Sequence, residues 1–135
     1  MFIYLNPVGG IAGDMFIAAM LDAWPELKPK VFDAMRQTGL PSDWSLELNS
    51  TSSSSIMGKK LIITGDANNT HFSTGNFRDI CKRLSDSALP PAVIERAIDI
   101  FHRLAVAEGA VHGKSIDAVH FHEIADWDSI CDIVG

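Results

Sequence analysis

The densest group of chemically capable side chains in the sequence is His120-Phe121-His122-Glu123. In an extended segment, residues two apart point to the same side, so His120 and His122 can reach one cation while Phe121 packs behind them. Glu123 supplies a carboxylate nearby, and so do Asp126, Asp128 and Asp132. Imidazole combined with carboxylate suits Ni²⁺, Zn²⁺ or Fe²⁺ better than Mg²⁺ or Ca²⁺. The pattern predicts a transition-metal site, although a His-x-His pair alone is common.

A second candidate pair, Glu108 and His112, lies near the end of a long predicted helix. The apolar stripe of that helix continues onto both residues by three- and four-residue steps, so they share the face that is expected to be inside. A buried carboxylate without a partner is costly, so Glu108 needs one. Two interpretations stay open: the residues pair with each other, or they form a metal-binding or proton-transfer pair in a cleft.

A third feature is the glycine-rich stretch from Gly9 through Gly10 and Gly13 to Asp14. Glycines between a strand and a helix let backbone N–H groups face a ligand, and a helix N-terminus favours an anion. The spacing matches neither the dinucleotide-binding nor the P-loop pattern. Either the stretch is a tight turn whose Asp14 complements the helix dipole, or Asp14 holds a metal or a ligand hydroxyl.

The elements that position these residues follow from hydrophobic periodicity and from the glycine and proline positions. Residues 2–5 are predicted as a buried strand, and the helix from Asp14 to about Ala23 is apolar nearly all round and is expected to be well buried. The remaining predicted elements are helices at about 28–37, 76–85, 91–111 and from 128, and strands at 44–49 and 60–64, with 50–55 as a polar turn or loop. The predicted fold class is α+β or α/β, a small sheet of about three strands covered by four to five helices.

Composition and charge exclude several classes of protein. With 135 residues and 47% hydrophobic residues, the chain is expected to form a single domain over 1–135 and is not disordered. The net charge of −6, with no basic run longer than Lys59-Lys60, argues against nucleic acid as a partner. No apolar run is long enough to span a membrane, and the N-terminus lacks the pattern of a signal peptide. Two cysteines are too few for a disulfide framework and favour a cytoplasmic location.

Taken together, the motifs resemble the N-terminal half of the LarC family, the nickel insertion proteins for the nickel-pincer nucleotide cofactor of lactate racemase-type enzymes. The resemblance covers essentially the whole chain, and the motifs are specific as an ordered set. They are Asn6-Pro7, Gly10-Ile11-Ala12-Gly13-Asp14-Met15-Phe16, Ala107-Glu108, Val111-His112-Gly113, Val119-His120-Phe121-His122-Glu123, Asp128-Ser129-Ile130 and Asp132-Ile133-Val134-Gly135.

The resemblance implies a lyase-type reaction in which nickel enters a pyridinium-3,5-bisthiocarboxylic acid mononucleotide, with CTP and Mg²⁺ or Mn²⁺ required. It implies a C-terminal part, absent from these residues, as the place for CTP, and either that part or a second copy as partner. Residue roles follow as hypotheses. They are metal binding by His112, His120, His122 and Asp128, catalysis by Asp14, Glu108 and Glu123, and contact with a phosphate by Gly9, Gly10 and Gly13.

The sequence departs from the family pattern at three places. Asn6 replaces the usual aspartate, only His71 stands where the family has a run of histidines, and Ala125-Asp126 replaces a glycine-alanine pair. Family members are also much longer. Two alternatives to a nickel chelatase therefore remain: a non-catalytic truncated remnant or metal-binding partner subunit of the family, and an unrelated His-x-His metallohydrolase.

Overall fold

The computed structural model describes residues 2–65, 75–121 and 126–135. Over these residues the chain forms five α-helices and one two-stranded antiparallel sheet, which confirms the α+β class. The elements are α1 (Gly13–Ala23), α2 (Lys28–Gln37), β1 (Ser45–Ser53), β2 (Ile56–Thr64), α3 (Phe77–Asp86), α4 (Pro91–His112) and α5 (Trp127–Val134), with single 3₁₀ turns at Pro25–Leu27 and Ile116–Ala118. None of these helices is both long and apolar enough to span a membrane.

The hairpin is longer than the sequence pattern predicts. β1 and β2 pair in a continuous register from Ser45 opposite Thr64 to Ser53 opposite Ile56. The prediction of a polar loop over 50–55 was therefore wrong for its first four residues. Ser54 and Ser55 form the turn, with φ angles of 49° and 66°. Two consecutive positive φ values match the twist of a two-residue hairpin turn, so the strands extend to its edge.

The predicted strand at 2–5 was wrong: in the part of the chain that the structure describes, the sheet has two strands rather than about three. Residues 2–5 run without regular secondary structure, and all four are exposed. A run of β-branched and aromatic residues favours a strand only where a neighbouring edge accepts its backbone hydrogen bonds. Neither hairpin strand provides that edge to this segment.

Helix α1 is less buried than its composition suggests. Only Ile17, Ala18 and Leu21 are buried, whereas Met15 and Phe16 are exposed. The prediction of a well-buried helix was therefore wrong for its first turn, since only one face of α1 has neighbours to pack against. The start at Gly13 and the end at Ala23, just before Pro25, agree with the prediction within one residue.

The buried apolar residues of the described ranges form two clusters, and α5 contributes to both. One contains residues of α3 and α4 together with Val119, Phe121, Ile130 and Val134. The other contains residues of α1, α2 and the hairpin together with Trp127 and Cys131. Because side chains on two faces of α5 pack into the two clusters, α5 fixes the position of the start of α1 relative to the long helix α4.

Candidate functional site

The glycine-rich turn before α1 is shaped by two residues that need positive φ angles. Gly9 has φ of 87° and Gly10 has φ of 102°, values that side-chain-bearing residues rarely adopt. The Gly10 N–H donates to the Pro7 carbonyl oxygen at 3.1 Å and closes the turn. No atom of the described residues lies within 4 Å of the positions where Cβ atoms of Gly9 and Gly10 would stand, so these residues leave the turn open on that side.

Gly13 has a different purpose, which is close packing. A Cβ at this position would lie 2.6 Å from Cβ and 2.7 Å from Cγ of Asp132 on α5. The absence of a side chain thus lets the Asp132 carboxylate approach the start of α1, where it accepts a hydrogen bond from the backbone N–H of Asp14. The glycine brings a carboxylate from the last helix against the N-terminus of the first.

Four carboxylates share this region: Asp14 on α1, and Asp126, Asp128 and Asp132 at the start and along α5. Burial raises the pKa of Asp132 to about 6, and the charges of Asp128, Asp14 and Asp126 add to the rise, while the Asp14 backbone N–H opposes it. Burial also raises the pKa of Asp128, followed by repulsion from Asp126 and Asp14. We call these four residues the carboxylate cluster.

The electrostatics of the carboxylate cluster favour a cation over an anion. Asp132 Oδ1 is buried, and no described residue provides it with a hydrogen-bond partner. Asp14 Oδ1 accepts from the Met15 N–H at 2.8 Å, and Asp126 caps α5 by accepting from the Ser129 N–H at 2.9 Å. With carboxylates already at the start of α1, a phosphate there would meet repulsion rather than a free helix N-terminus. The phosphate role of Gly9, Gly10 and Gly13 stays a prediction, and the surrounding charge weighs against it.

His120 lies on a short backbone bridge that connects two distant parts of the sequence. The Phe121 N–H donates to the Gly75 carbonyl oxygen at 2.7 Å, and Asn76 pairs with His120 in an antiparallel bridge. A Cβ on Gly75 would stand 3.2 Å from Cε1 and Nε2 of His120, so the imidazole lies against this glycine. His120 is exposed, whereas Phe121 is buried, with its ring centroid 6.3 Å from that of Phe101. The expectation that Phe121 packs behind His120 is confirmed, whereas the placement of His122 on the same side as His120 stays a prediction.

His122 and Glu123, like His71, lie outside the described residues. Chain length nevertheless limits how far His120 can be from the carboxylate cluster. His120 and Asp126 are six residues apart, a span of at most about 22 Å when fully extended. Within residues 2–65, 75–121 and 126–135, no three His, Cys, Asp or Glu side chains form a group that could hold a metal ion.

Glu108 and His112 pair with each other at the end of α4. His112 Nε2 lies 3.1 Å from Glu108 Oε1. Glu108 is partly buried and His112 is exposed, because the buried stripe of α4 follows Ala97, Phe101, Ala105 and Gly109 and so passes beside them. The expectation that both lie on the inner face was therefore wrong for His112. Their metal-binding and catalytic roles stay predictions.

Cys131 occupies a core position beside the carboxylate cluster. Its side chain is fully buried, and burial raises the pKa of the thiol to about 12, with Asp128 and Asp132 adding to the rise. A thiol with such a pKa is not a nucleophile near neutral pH. It serves as a small apolar residue between α5 and the hairpin side of the core.

The structure thus brings Asp14 and Asp128 near each other and adds Asp132, which the sequence placed among the carboxylates near His120 but to which no role was assigned. The signal was present in the sequence, since Asp132 lies four residues after Asp128 and so shares its face of a helix. What the spacing did not reveal was the partner surface, the start of α1. Glu108 and His112 form a separate pair on another helix.

Comparison with known proteins supplies independent evidence. The profile of the family described as "Nickel insertion protein" matches residues 3–135. A protein of Myxococcus xanthus, provisionally named a nickel insertion protein, is 42% identical over 98% of this chain and 34% of its own length. A protein of Geobacter metallireducens with the same name is 40% identical over 98% of this chain and 33% of its own length. No solved structure matches significantly.

The chain spans about a third of the length of the curated relatives that it matches. The match is continuous from residue 3 to residue 135, and so includes the glycine-rich turn, the bridge at His120 and the carboxylate cluster. The chain therefore belongs to the nickel insertion protein family.

Proposed function

We propose that this chain receives Ni²⁺ in the making of a nickel-pincer nucleotide cofactor, with the metal as substrate. The acceptor is the pyridinium-3,5-bisthiocarboxylic acid mononucleotide, into which nickel is inserted through carbon–nickel and sulfur–nickel bonds. The reaction is that of a lyase-type nickel chelatase. Family membership supports nickel as the metal, and the resemblance to the LarC family supports the nucleotide acceptor.

The observation that carries the proposal is the carboxylate cluster. Burial, followed by repulsion from the neighbouring aspartates, raises the pKa values of Asp128 and Asp132 at the junction of α1 and α5. A divalent cation relieves that repulsion, so the cluster attracts Ni²⁺ and concentrates it near the bridge at His120. Imidazole is the better nickel ligand, and His120 is exposed to receive it. In this proposal His120 and His122 bind the metal, Glu123 and Asp128 complete the ligand set, and Asp14 assists its delivery.

The nucleotide CTP and its divalent cation belong to the rest of a family protein rather than to this chain. CTP, with Mg²⁺ or Mn²⁺, is used by the part of the relatives that this chain does not match. The carboxylates at the start of α1 support that division, because they repel a triphosphate. The two cysteines of the sequence, Cys81 and Cys131, are free thiols, which supports a reducing, cytoplasmic environment.

Calorimetric titration with Ni²⁺ at pH 7.5 tests the proposal. We expect His120→Ala/His122→Ala to weaken nickel affinity at least tenfold, because two imidazole ligands are lost. His102→Ala is the matched control: His102 is exposed on α4, its ring 6.0 Å from that of Phe77, and its loss is expected to leave affinity within twofold. Unchanged affinity in the double variant would contradict the proposal.

A second assay separates the alternatives. This chain is joined to the region of the Myxococcus xanthus relative that it does not match, and nickel insertion into the pincer nucleotide is followed with CTP and Mg²⁺. Insertion supports the chelatase. Nickel binding without insertion favours a non-catalytic remnant or metal-binding partner subunit, and zinc-dependent hydrolysis of simple esters would favour a metallohydrolase.

A further inference from the structure

The N-terminal segment presents an apolar surface with almost no covering. Residues 2–13 contain no charged side chain, whereas 28 of the 135 residues in the chain are Lys, Arg, Asp or Glu, the sum of 11 and 17. Six large side chains define what we call the N-terminal apolar surface. They are Phe2, Tyr4, Val8, Ile11, Met15 and Phe16, all of which are exposed. A concentration of exposed apolar side chains in one segment is typical of an interface.

The exposure along residues 2–5 alternates as in a strand. Phe2 and Tyr4 are 90% and 79% exposed, whereas Ile3 and Leu5 are each 48% exposed. Ile3 lines an apolar groove of about 350 Å³, together with Phe16, Met20 and Leu27. The segment therefore already has an inner and an outer face, the arrangement of a strand at the edge of a sheet.

The backbone of this segment is free to pair. Within the described residues, no backbone hydrogen bond between main-chain groups involves residues 2–5, and the first such bond is from the Val8 N–H to the Asn6 oxygen. Backbone groups that lack partners on an extended apolar segment are the feature that accepts an added strand. The segment has the residues of a strand and, in the described part of the chain, no neighbouring strand.

The charge around the groove and the greater length of the relatives indicate which partner covers the N-terminal apolar surface. The charged residues of α1 and of the groove lining are Asp14, Asp22 and Glu26, all acidic. A second copy would place the same acidic rim, and another net charge of −6, against the first. The curated relatives carry about twice this length again outside the matched region. That additional chain is the partner present in equal amount with every copy of this region.

We infer that the N-terminal apolar surface is the docking site for the remaining two thirds of a nickel insertion protein, which adds a strand with apolar residues and basic flanks to residues 2–5. This inference rests on the partner assigned under the proposed function. It goes further by naming the surface and the mode of contact. Nickel binding is measured by calorimetry and docking by hydrogen exchange, so a negative result in one experiment does not affect the interpretation of the other.

Hydrogen exchange tests the inference. A chimera replaces the matched third of the Myxococcus xanthus relative with this chain, and the amides of residues 3–5 are compared with those of the 135-residue chain alone. We expect exchange at these amides to slow at least tenfold in the chimera. The unmatched region added as a separate polypeptide gives a second measurement of the same protection.

Substitutions then identify the surface. Tyr4→Asp in the chimera is expected to abolish the protection, because it places a charge in the interface. Ile56→Asp, at an equally exposed residue beside the hairpin turn, is the matched control and is expected to retain the protection. Equal exchange rates in the isolated chain and in both the chimera and the mixture would overturn the inference. So would a dimer of the isolated chain that Tyr4→Asp dissociates, since the occupant would then be a second copy.

Discussion

Two groups of ionisable side chains in this protein differ in whether their charges are balanced by neighbouring side chains. At the end of α4, Glu108 and His112 form a pair of opposite potential charge, 3.1 Å apart on one helix surface. At the junction of α1 and α5, four aspartates lie near enough for their charges to interact, and burial and these like charges raise the pKa of Asp132 to about 6.

The difference indicates which of the two groups a bound cation would stabilise. An exposed i,i+4 pair is complete by itself and contributes little to stability. A group of like charges in a packed junction costs stability unless a cation joins it, and arrangements with this cost are concentrated at functional sites. The comparison favours the carboxylate cluster, rather than the α4 pair, as the place that meets nickel.

The largest expected effect tests how the carboxylate cluster is built. Gly13→Ala places a Cβ within 2.8 Å of Asp132 Cβ, Cγ and Oδ2. Alanine normally favours a helix over glycine by about 1 kcal/mol, but the collision should outweigh this gain. We expect the free energy of unfolding in urea to fall by about 2 kcal/mol.

Gly58→Ala is the matched control for that substitution, because nothing lies within 4 Å of a Cβ on Gly58. Its expected change is within about 0.5 kcal/mol. A Gly13→Ala variant that is more stable than the parent would show that α1 and α5 do not approach as closely as described.

The next largest effect is the pH dependence of stability that the raised pKa of Asp132 causes. The Asp132 pKa in the folded protein, about 6, lies above the unfolded value of 3.8, so the folded state holds the proton more tightly. Stability conferred by the protonated form is therefore present below pH 3.8 and lost as pH rises from about 4 to 6. Asp132→Asn should avoid this loss and stabilise the protein at pH 7.5 by about 1 kcal/mol, a value reduced for solvent screening of a half-exposed group.

Chemical unfolding of parent and Asp132→Asn at pH 4 and pH 7.5 measures that prediction. The advantage of the variant should shrink at pH 4, where the parent carboxyl is protonated. Asp99→Asn is a suitable control, since Asp99 pairs with Arg103 on the exposed side of α4. An advantage of equal size at both pH values would contradict the assignment of the effect to ionisation.

The smallest effect concerns the pair on α4. His112→Ala removes an exposed partner of Glu108, so the free energy of unfolding should change by less than about 0.5 kcal/mol. Nickel affinity should stay within twofold of the parent in calorimetric titration. A tenfold loss of affinity would reverse the comparison and restore the predicted metal-binding role of His112.

Local signals in the sequence were sufficient for most of the fold. Asn76 caps α3 by accepting the Arg78 N–H at 2.9 Å, Pro91 begins α4, and Gly113 ends it with φ of 64°. Each of these signals acts within one helical turn. The hairpin was predicted with strands that were too short, because serines resemble a loop in composition and pair here as a strand.

Features that depend on a distant partner could not be predicted. Phe2 to Leu5 have the composition of a strand, but composition does not provide the neighbouring edge. Spacing placed Glu108 and His112 on one face of α4. It did not show that the buried stripe of α4 passes beside this pair and leaves His112 exposed. Asp14 and Asp128 were chosen for their own motifs, and their proximity depends on how α5 packs against α1.

The central claim is that the carboxylate cluster and the His120 segment receive nickel together. Its most direct test is the free energy of unfolding at pH 7.5 with and without Ni²⁺, for the parent and for Asp14→Asn/Asp128→Asn. At a nickel concentration about 100 times the dissociation constant, the parent should gain about 2.7 kcal/mol. The double variant should gain less than about 1 kcal/mol. An equal gain in both proteins would contradict the claim.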